Sequence, residues 1–298
     1  MKIGFVGLGR MGKNMVYNLL DHKHEVVAYN RNATELEDAK QKGVVPAYTL
    51  EELVSKLETP RVVWLMITAK AVDEVIEKLI PLLSKGDLII DGGNSYFEES
   101  KRRHAYVNSK GFEYLDIGTS GGMEGARNGA CMMIGGKKEV FQRVEPAIRD
   151  MCVPNGYGYM GLGGAGHFVK MVHNGIEYGM MAAMAEGIAA IQDKSNDFGI
   201  DMNTVVKTYA HGSIIESRLM SWLEKSYFTQ GYMDSLEGTV PPGETESEME
   251  NLTKLYPMKI LESSLDMRRA TRIKPSLEGK VNAALRNQFG GHAVVSKK

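Results

Sequence analysis

The sequence predicts two consecutive domains: a doubly wound α/β sheet over residues 1–165 and an all-α domain over 166–298. Three observations carry this reading. Short apolar runs alternate with amphipathic segments over the first 160 or so residues, the pattern of a parallel sheet covered on both faces. A Gly-x-Gly-x-x-Gly turn lies between the first apolar run and the first helical one. From Gly166 the texture changes to Met- and Ala-rich helical segments joined by polar turns.

The elements follow in order. Lys2–Val6 is a strand, Met11–Asp21 an amphipathic helix and Glu25–Tyr29 a second strand. Arg61–Ile67 and Asp87–Asp91 are rich in β-formers, with a helical Ala71–Leu83 between them. Tyr114–Ile117 and Cys131–Ile134 continue the sheet. The glycine-rich Gly156–Gly164 reads as the link between domains. One helix is expected from Gly166 to about Asp193, followed by helices separated by polar turns such as Asp193–Asn196 and Pro241–Gly243.

Composition bounds the function. With 36 basic and 37 acidic side chains the net charge is close to zero, so no long-range field favours nucleic acid or an anionic membrane. Any anion must be caught by a local site. Two cysteines, Cys131 and Cys152, make neither a disulfide framework nor a metal cluster, so a reducing compartment and no metal are expected. No run approaches the roughly 18 apolar residues of a membrane span, and the N-terminal MKIGFVGLGRMG is broken by glycines, so a soluble cytoplasmic protein is expected.

Gly7, Gly9 and Gly12, with Leu8, Arg10 and Met11 between them, form the turn of a Rossmann-type dinucleotide site. Glycine there permits close approach to a pyrophosphate, and the following helix turns its positive end to that charge. At the end of the second strand an NAD site usually has an acidic residue for the ribose hydroxyls. This chain has Asn30-Arg31, an amide that does not repel a 2′-phosphate beside a guanidinium that can bind one, which favours NADP over NAD. Two further loops, DGGNS (Asp91–Ser95) and GTSGG (Gly118–Gly122), follow strands where an open α/β sheet binds ligands. Loops of this kind offer backbone N–H groups and small hydroxyls to an anionic substrate.

In GHFVKMVHNGIEY (Gly166–Tyr178), Lys170, His173, Asn174 and Glu177 share an arc of about 100° on a helix. Val169, Val172 and Ile176 lie outside that arc and are expected to bind the helix to the core, leaving the polar side to face a cleft. A lysine whose pKa is lowered by burial and positive neighbours serves as a general base, and a glutamate two turns along can supply a proton in a later step.

These motifs, together with GTSGGMEGAR and LRNQFGGH (Leu285–His292), resemble those of the decarboxylating 6-phosphogluconate dehydrogenases of short bacterial type, within the β-hydroxyacid dehydrogenase superfamily. The resemblance implies that Lys170 takes the proton of the substrate 3-hydroxyl and that Glu177 later protonates C1. It further implies that Asn94, Ser120, Gly121, Gly122, His173 and Asn174 hold the sugar acid, Asn94 contacting the cofactor as well, and that Tyr178 and Arg268 serve its phosphate. Arg286 and His292 would reach a neighbouring subunit's substrate, which implies a homodimer or homotetramer. One segment departs from the pattern: after Gly238, where relatives carry a Gly-rich stretch with a basic residue, Trp and Thr, this chain has the acidic TVPPGETESEME. Two other readings share part of the motif set: a non-decarboxylating 3-hydroxyacid dehydrogenase of 3-hydroxyisobutyrate type, and a non-catalytic dinucleotide sensor.

Overall fold

A computed structural model describes residues 1–243 and 245–297. The chain divides into two compact units, Met1–Met171 and Val172–Lys298, so the division falls inside the long helix rather than before Gly166.

The first unit holds eight strands: β1 (Lys2–Val6), β2 (Glu25–Tyr29), β3 (Val45–Ala47), β4 (Val62–Leu65), β5 (Leu88–Asp91), β6 (Glu113–Ser120), β7 (Ala130–Gly136) and β8 (Cys152–Gly161). Between them run α1 (Arg10–Asp21), α2 (Ala33–Lys40), α3 (Leu50–Ser55), α4 (Ala69–Leu79), α5 (Phe97–Ser109), α6 (Gly122–Asn128) and α7 (Lys138–Asp150). The sheet order is β3-β2-β1-β4-β5-β6-β7-β8, doubly wound about β1 and β4. Every residue of β4 and β5 is buried, as continuous apolar runs such as VVWL require when helices cover both faces. Phe5, Met15, Trp64, Ile90 and Leu115 pack in the core on one face. Val6, Val63, Leu65, Ile76 and Tyr114 pack on the other.

The parallel expectation holds from β3 to β6 and then fails: β7 runs antiparallel to β6, and β8 is parallel to β7. Only residues 121–129 join β6 to β7, too few for a crossover of about a dozen residues or more. The glycine-rich stretch expected to be a linker is largely β8, whose Tyr157 and Tyr159 pack on Phe141. Their alternation with Gly156 and Gly158 is the period of a strand.

Helix α8 (Ala165–Phe198) starts in the first unit and continues as the first helix of the second. It is followed by α9 (Met202–Tyr209), α10 (Arg218–Phe228), α11 (Tyr232–Ser235), α12 (Glu246–Leu255), α13 (Lys259–Ile273) and α14 (Leu277–Gly290). The polar Asp193–Asn196, expected to be a turn, is helical; Lys194 pairs with Asp197 at 3.3 Å along its surface. The chain breaks instead at Gly199, whose φ of +66° an L side chain rarely adopts, and Asp201 caps α9. Met181, Ala185 and Ile188 of α8 pack with Val206, Leu219, Leu223, Val281 and Leu285 in this unit's core. The C-terminal strand-like segment returns to its own unit, where Glu237 N donates to Val295 O at 2.9 Å and Lys297 N to Ser235 O at 2.8 Å.

Candidate active site

The glycine turn has the shape a pyrophosphate needs. A Cβ on Gly7, where φ is +102°, would lie 2.4 Å from Met66 O, and one on Gly12 would lie 2.2 Å from Gly7 O. Gly9, the N-cap of α1, faces open space, and the first turn of α1 has no side-chain cap and no acidic residue. An anion can therefore approach a helix N-terminus that carries neither a side-chain cap nor an acidic residue in its first turn. Leu8 is buried in the turn, Met11 half-buried and Arg10 exposed. Asn30 ties the end of β2 to this turn: its Oδ1 accepts from Leu8 N at 2.9 Å, and its Nδ2 donates to Asn32 O at 3.0 Å. Arg31 beside it is exposed.

The DGGNS loop is held from beneath. Asp91, fully buried at the end of β5, accepts at Oδ2 from Ser95 Oγ (2.8 Å), Tyr114 OH (3.1 Å) and Arg103 Nη1 (3.2 Å). Arg103 also donates to Ser95 Oγ at 3.0 Å and to Asp73 at 2.8 Å, so it joins both ends of the loop to α4. Burial, then the Asp91 charge, pushes the Tyr114 phenol well above its usual range, which keeps it a donor. Asn94 is exposed above this network. The second loop begins inside β6, which extends to Ser120; Gly121, at φ +113°, is the N-cap of α6, and Gly122 begins that helix.

The first turn of α8 is pinned to β6. Asp116, fully buried, accepts from Gly164 N at 2.7 Å and from His167 N at 2.9 Å, a carboxylate capping the helix that carries the polar stripe. His167 Nδ1 meets Ser100 Oγ at 2.6 Å. Lys170 then lies directly against the sheet: a Cβ on Gly118 would fall 2.3 Å from Lys170 Cβ. In the second unit, His173 Nδ1 lies 3.3 Å from Asn174 Oδ1 and 3.9 Å from Glu177 Oε2. Asn174 is buried, His173 and Glu177 half-buried. The expected anchors differ: Val169 and Val172 are half-buried and Ile176 is 57% exposed, while Met171, Tyr178 and Met181 are buried. The side of α8 taken as core-facing at Ile176 is surface, because the packing surface is set by Gly175, close to Leu252, Leu261 and Met258.

Tyr178 leads to a group of arginines. The Arg268 guanidinium lies 3.3 Å from the Tyr178 ring centroid, and Tyr178 OH meets Thr245 Oγ1 at 2.9 Å. On α14, which packs Val281 and Leu285 into this unit's core, Arg286 Nη1 donates to Pro241 O at 2.7 Å. His292 packs edge-on against Phe289 of the same helix end. The acidic segment after Gly238 also meets this group, through Thr245 and through Glu246, which pairs with Arg272. Glu244 of that segment lies outside the described residues.

Sequence reasoning missed Arg103, Asp116, Thr245, Glu246 and Arg272. Two were signalled: Asp116 shares a strand face with Gly118, and Arg272 follows Arg268 by one helical turn. Among the described residues no group of three or more His, Cys, Asp or Glu side chains is arranged to hold a metal, and no helix is long and apolar enough to cross a membrane.

Residues 2–163 match the family model described as the NAD binding domain of 6-phosphogluconate dehydrogenase, and residues 166–194 match that of its C-terminal domain. The chain is 44% identical over 299 residues to Bacillus subtilis YqeC, whose name assigns it to 6-phosphogluconate dehydrogenase provisionally; the match covers all of both chains. It is 36% identical over 302 residues to the NAD(+)-dependent, decarboxylating 6-phosphogluconate dehydrogenase of Haloferax volcanii, covering 100% of this chain and 99% of that one. Among solved structures, Plasmodium falciparum 6-phosphogluconate dehydrogenase, studied apo, with NADP+ and with 6-phosphogluconate, superposes with a TM-score of 0.81 at 29% identity, over 97% of this chain and 70% of that one.

Proposed function

Because the chain belongs to the 6-phosphogluconate dehydrogenase family, we propose that it oxidatively decarboxylates 6-phosphogluconate to ribulose 5-phosphate and carbon dioxide. The observation that carries this is the single helix α8. It carries Lys170 where its first turn is pinned to β6, and Glu177 about two helical turns further along the same helix.

In this reading Lys170, neutral before reaction, accepts the proton of the substrate 3-hydroxyl. The bound nicotinamide supplies the chemistry of accepting the C3 hydride. Protonated Lys170 then donates a hydrogen bond to the 3-keto oxygen and stabilises the charge that develops as carbon dioxide leaves. Glu177 delivers a proton to C1 of the resulting enediol. Asn94, Ser120, Gly121, Gly122, His173 and Asn174 orient the sugar acid, and Tyr178, Arg268 and Arg286 receive its phosphate. Arg286 acts within its own subunit in this proposal. Exposed Ile176 and Met180 on α8, with Ile260 of α13 close to Gly179, support assembly of a homo-oligomer through this face. Light scattering giving a monomer at micromolar concentration refutes that part.

For the cofactor, Arg31 beside Asn30 supports NADP+, with Gly7, Gly9 and Gly12 holding the pyrophosphate. Initial rates on 6-phosphogluconate with NADP+ and with NAD+, with carbon dioxide measured alongside, test reaction and cofactor together. Carbon dioxide equal to reduced dinucleotide is expected. Reduction without carbon dioxide makes the protein a non-decarboxylating hydroxyacid dehydrogenase.

A further inference from the structure

The arginine group of the second unit carries more positive charge than its described carboxylates balance. Arg268 is 3% exposed and Arg286 7% exposed, and among the described residues neither has a carboxylate within 4.0 Å. Among the described residues Arg268 Nη2 donates to Met181 Sδ at 3.6 Å, the guanidinium stacks on the Tyr178 ring, and its buried Nε has no hydrogen-bond partner. Burial draws the Arg268 guanidinium down to about 10 and lowers Arg286 as well, and the more distant pull of Glu246 on both does not offset it. Arg272, one turn beyond Arg268, is by contrast fully engaged. Its Nε donates to Val240 O at 3.0 Å, its Nη1 to Glu246 Oε1 at 2.9 Å, and its Nη2 to Glu246 Oε2. Burial alone would raise the Glu246 carboxyl, but the Arg272 fork outweighs it and holds it below the usual range, so the carboxylate stays charged.

We propose that Glu246 is a specificity-determining residue of this anion site: by neutralising Arg272 it leaves two guanidinium groups, not three, to face a phosphate. The inference rests on the reading that Arg268 and Arg286 receive the substrate's phosphate. It explains why an acidic segment adjoins an anion site at all. Glu246 limits the hold on a dianion that must also be released as the phosphate of the product, and the attraction of Arg268 and Arg286 remains for binding. Tyr178 and Thr245, joined at 2.9 Å, keep the segment in place independently of the Glu246 charge.

The test uses Glu246→Gln in the full-length protein, with inorganic phosphate binding by calorimetry and steady-state kinetics on 6-phosphogluconate as readouts. Both the phosphate Kd and the KM for the phosphorylated acid should fall about fivefold or more, while the KM for the dinucleotide is unchanged. Adding Arg272→Gln to that variant should return both toward the starting values, because the third positive charge is gone. Unchanged or weaker phosphate binding by Glu246→Gln overturns the proposal, the latter showing that Glu246 only holds the segment. A wild-type protein that does not turn over 6-phosphogluconate refutes the functional reading. The calorimetry still decides on Glu246: tighter phosphate binding by the variant upholds the proposal, and no binding by either protein overturns it.

Discussion

Gly118→Ala is the most direct perturbation of the proposed base. The added Cβ would sit 2.3 Å from Lys170 Cβ and 2.8 Å from Lys170 Cγ, where carbon atoms rest at about 3.5–4.0 Å. Something must therefore move by about 1.2–1.7 Å. Strand β6 is fixed by β5 on one side and β7 on the other, so the displacement falls on α8. Asp116 resists it through its bonds to Gly164 N and His167 N, which makes the strain local to the turn bearing Lys170. Overpacking of this kind costs about 1–3 kcal/mol of stability, which a chain of this size can survive folded. A shift of about 1 Å at a reacting group costs about a hundredfold in rate. The expected result is kcat down about a hundredfold with dinucleotide Kd unchanged, measured by steady-state kinetics and fluorescence titration. Gly187→Ala in the same helix meets nothing within 4 Å and should leave kcat as it is. A folded Gly118→Ala protein with kcat within threefold of wild type refutes the placement of Lys170.

Lys170→Met should abolish turnover while the dinucleotide still binds; retained turnover above about 1% removes Lys170 from the role of base. Arg31→Ala should reduce kcat/KM for NADP+ about tenfold or more and leave NAD+ little changed, the loss of one charge-assisted contact to a 2′-phosphate; equal losses with both cofactors count against it. Asp116→Ala removes the acceptor of two buried N–H groups and should lower stability by about 1–3 kcal/mol in urea unfolding, and an unchanged midpoint contradicts the cap. Burial raises the Cys152 thiol to about 12, so at pH 8.5 it remains protonated and should react with iodoacetamide about a thousandfold more slowly than an ordinary cysteine. The sign is that of a raised acid: the stability it contributes is present below about 9 and is lost as pH rises toward 12.

What was legible in the sequence divides by the range of the physics involved. Local signals were readable: the glycine turn, the apolar runs of β4 and β5 and the polar stripe on α8 are set by periodicity and backbone freedom within a few residues. The direction of β7 was not read as periodicity, although the shortness of 121–129 contained it. Gly156 to Gly164 misled because glycines there alternate with tyrosines that pack on Phe141, and glycine content alone does not distinguish a flexible link from a strand under a helix. Asp193–Asn196 misled for the complementary reason. Polar residues end a helix only where a cap or a positive φ does so, and here that residue is Gly199.

The arginine group shows where a one-dimensional reading stops. Taken by itself, the acidic segment after Gly238 counted against an anion site, since its basic residue was absent. In three dimensions, Arg272 and Arg286 from other helices reach that segment, and among the described residues Glu246 makes its ion pair with Arg272 while acting on Arg286 from further off. Local charge at a site is a sum over elements that sequence keeps 20 to 40 residues apart, as Glu246 is from Arg272 and Arg286. The polar stripe on α8 was readable because its members share one helix. The phosphate end was not, because its members come from α8, α12, α13 and α14, and only folding brings Tyr178, Glu246, Arg268 and Arg286 within reach of each other's charge.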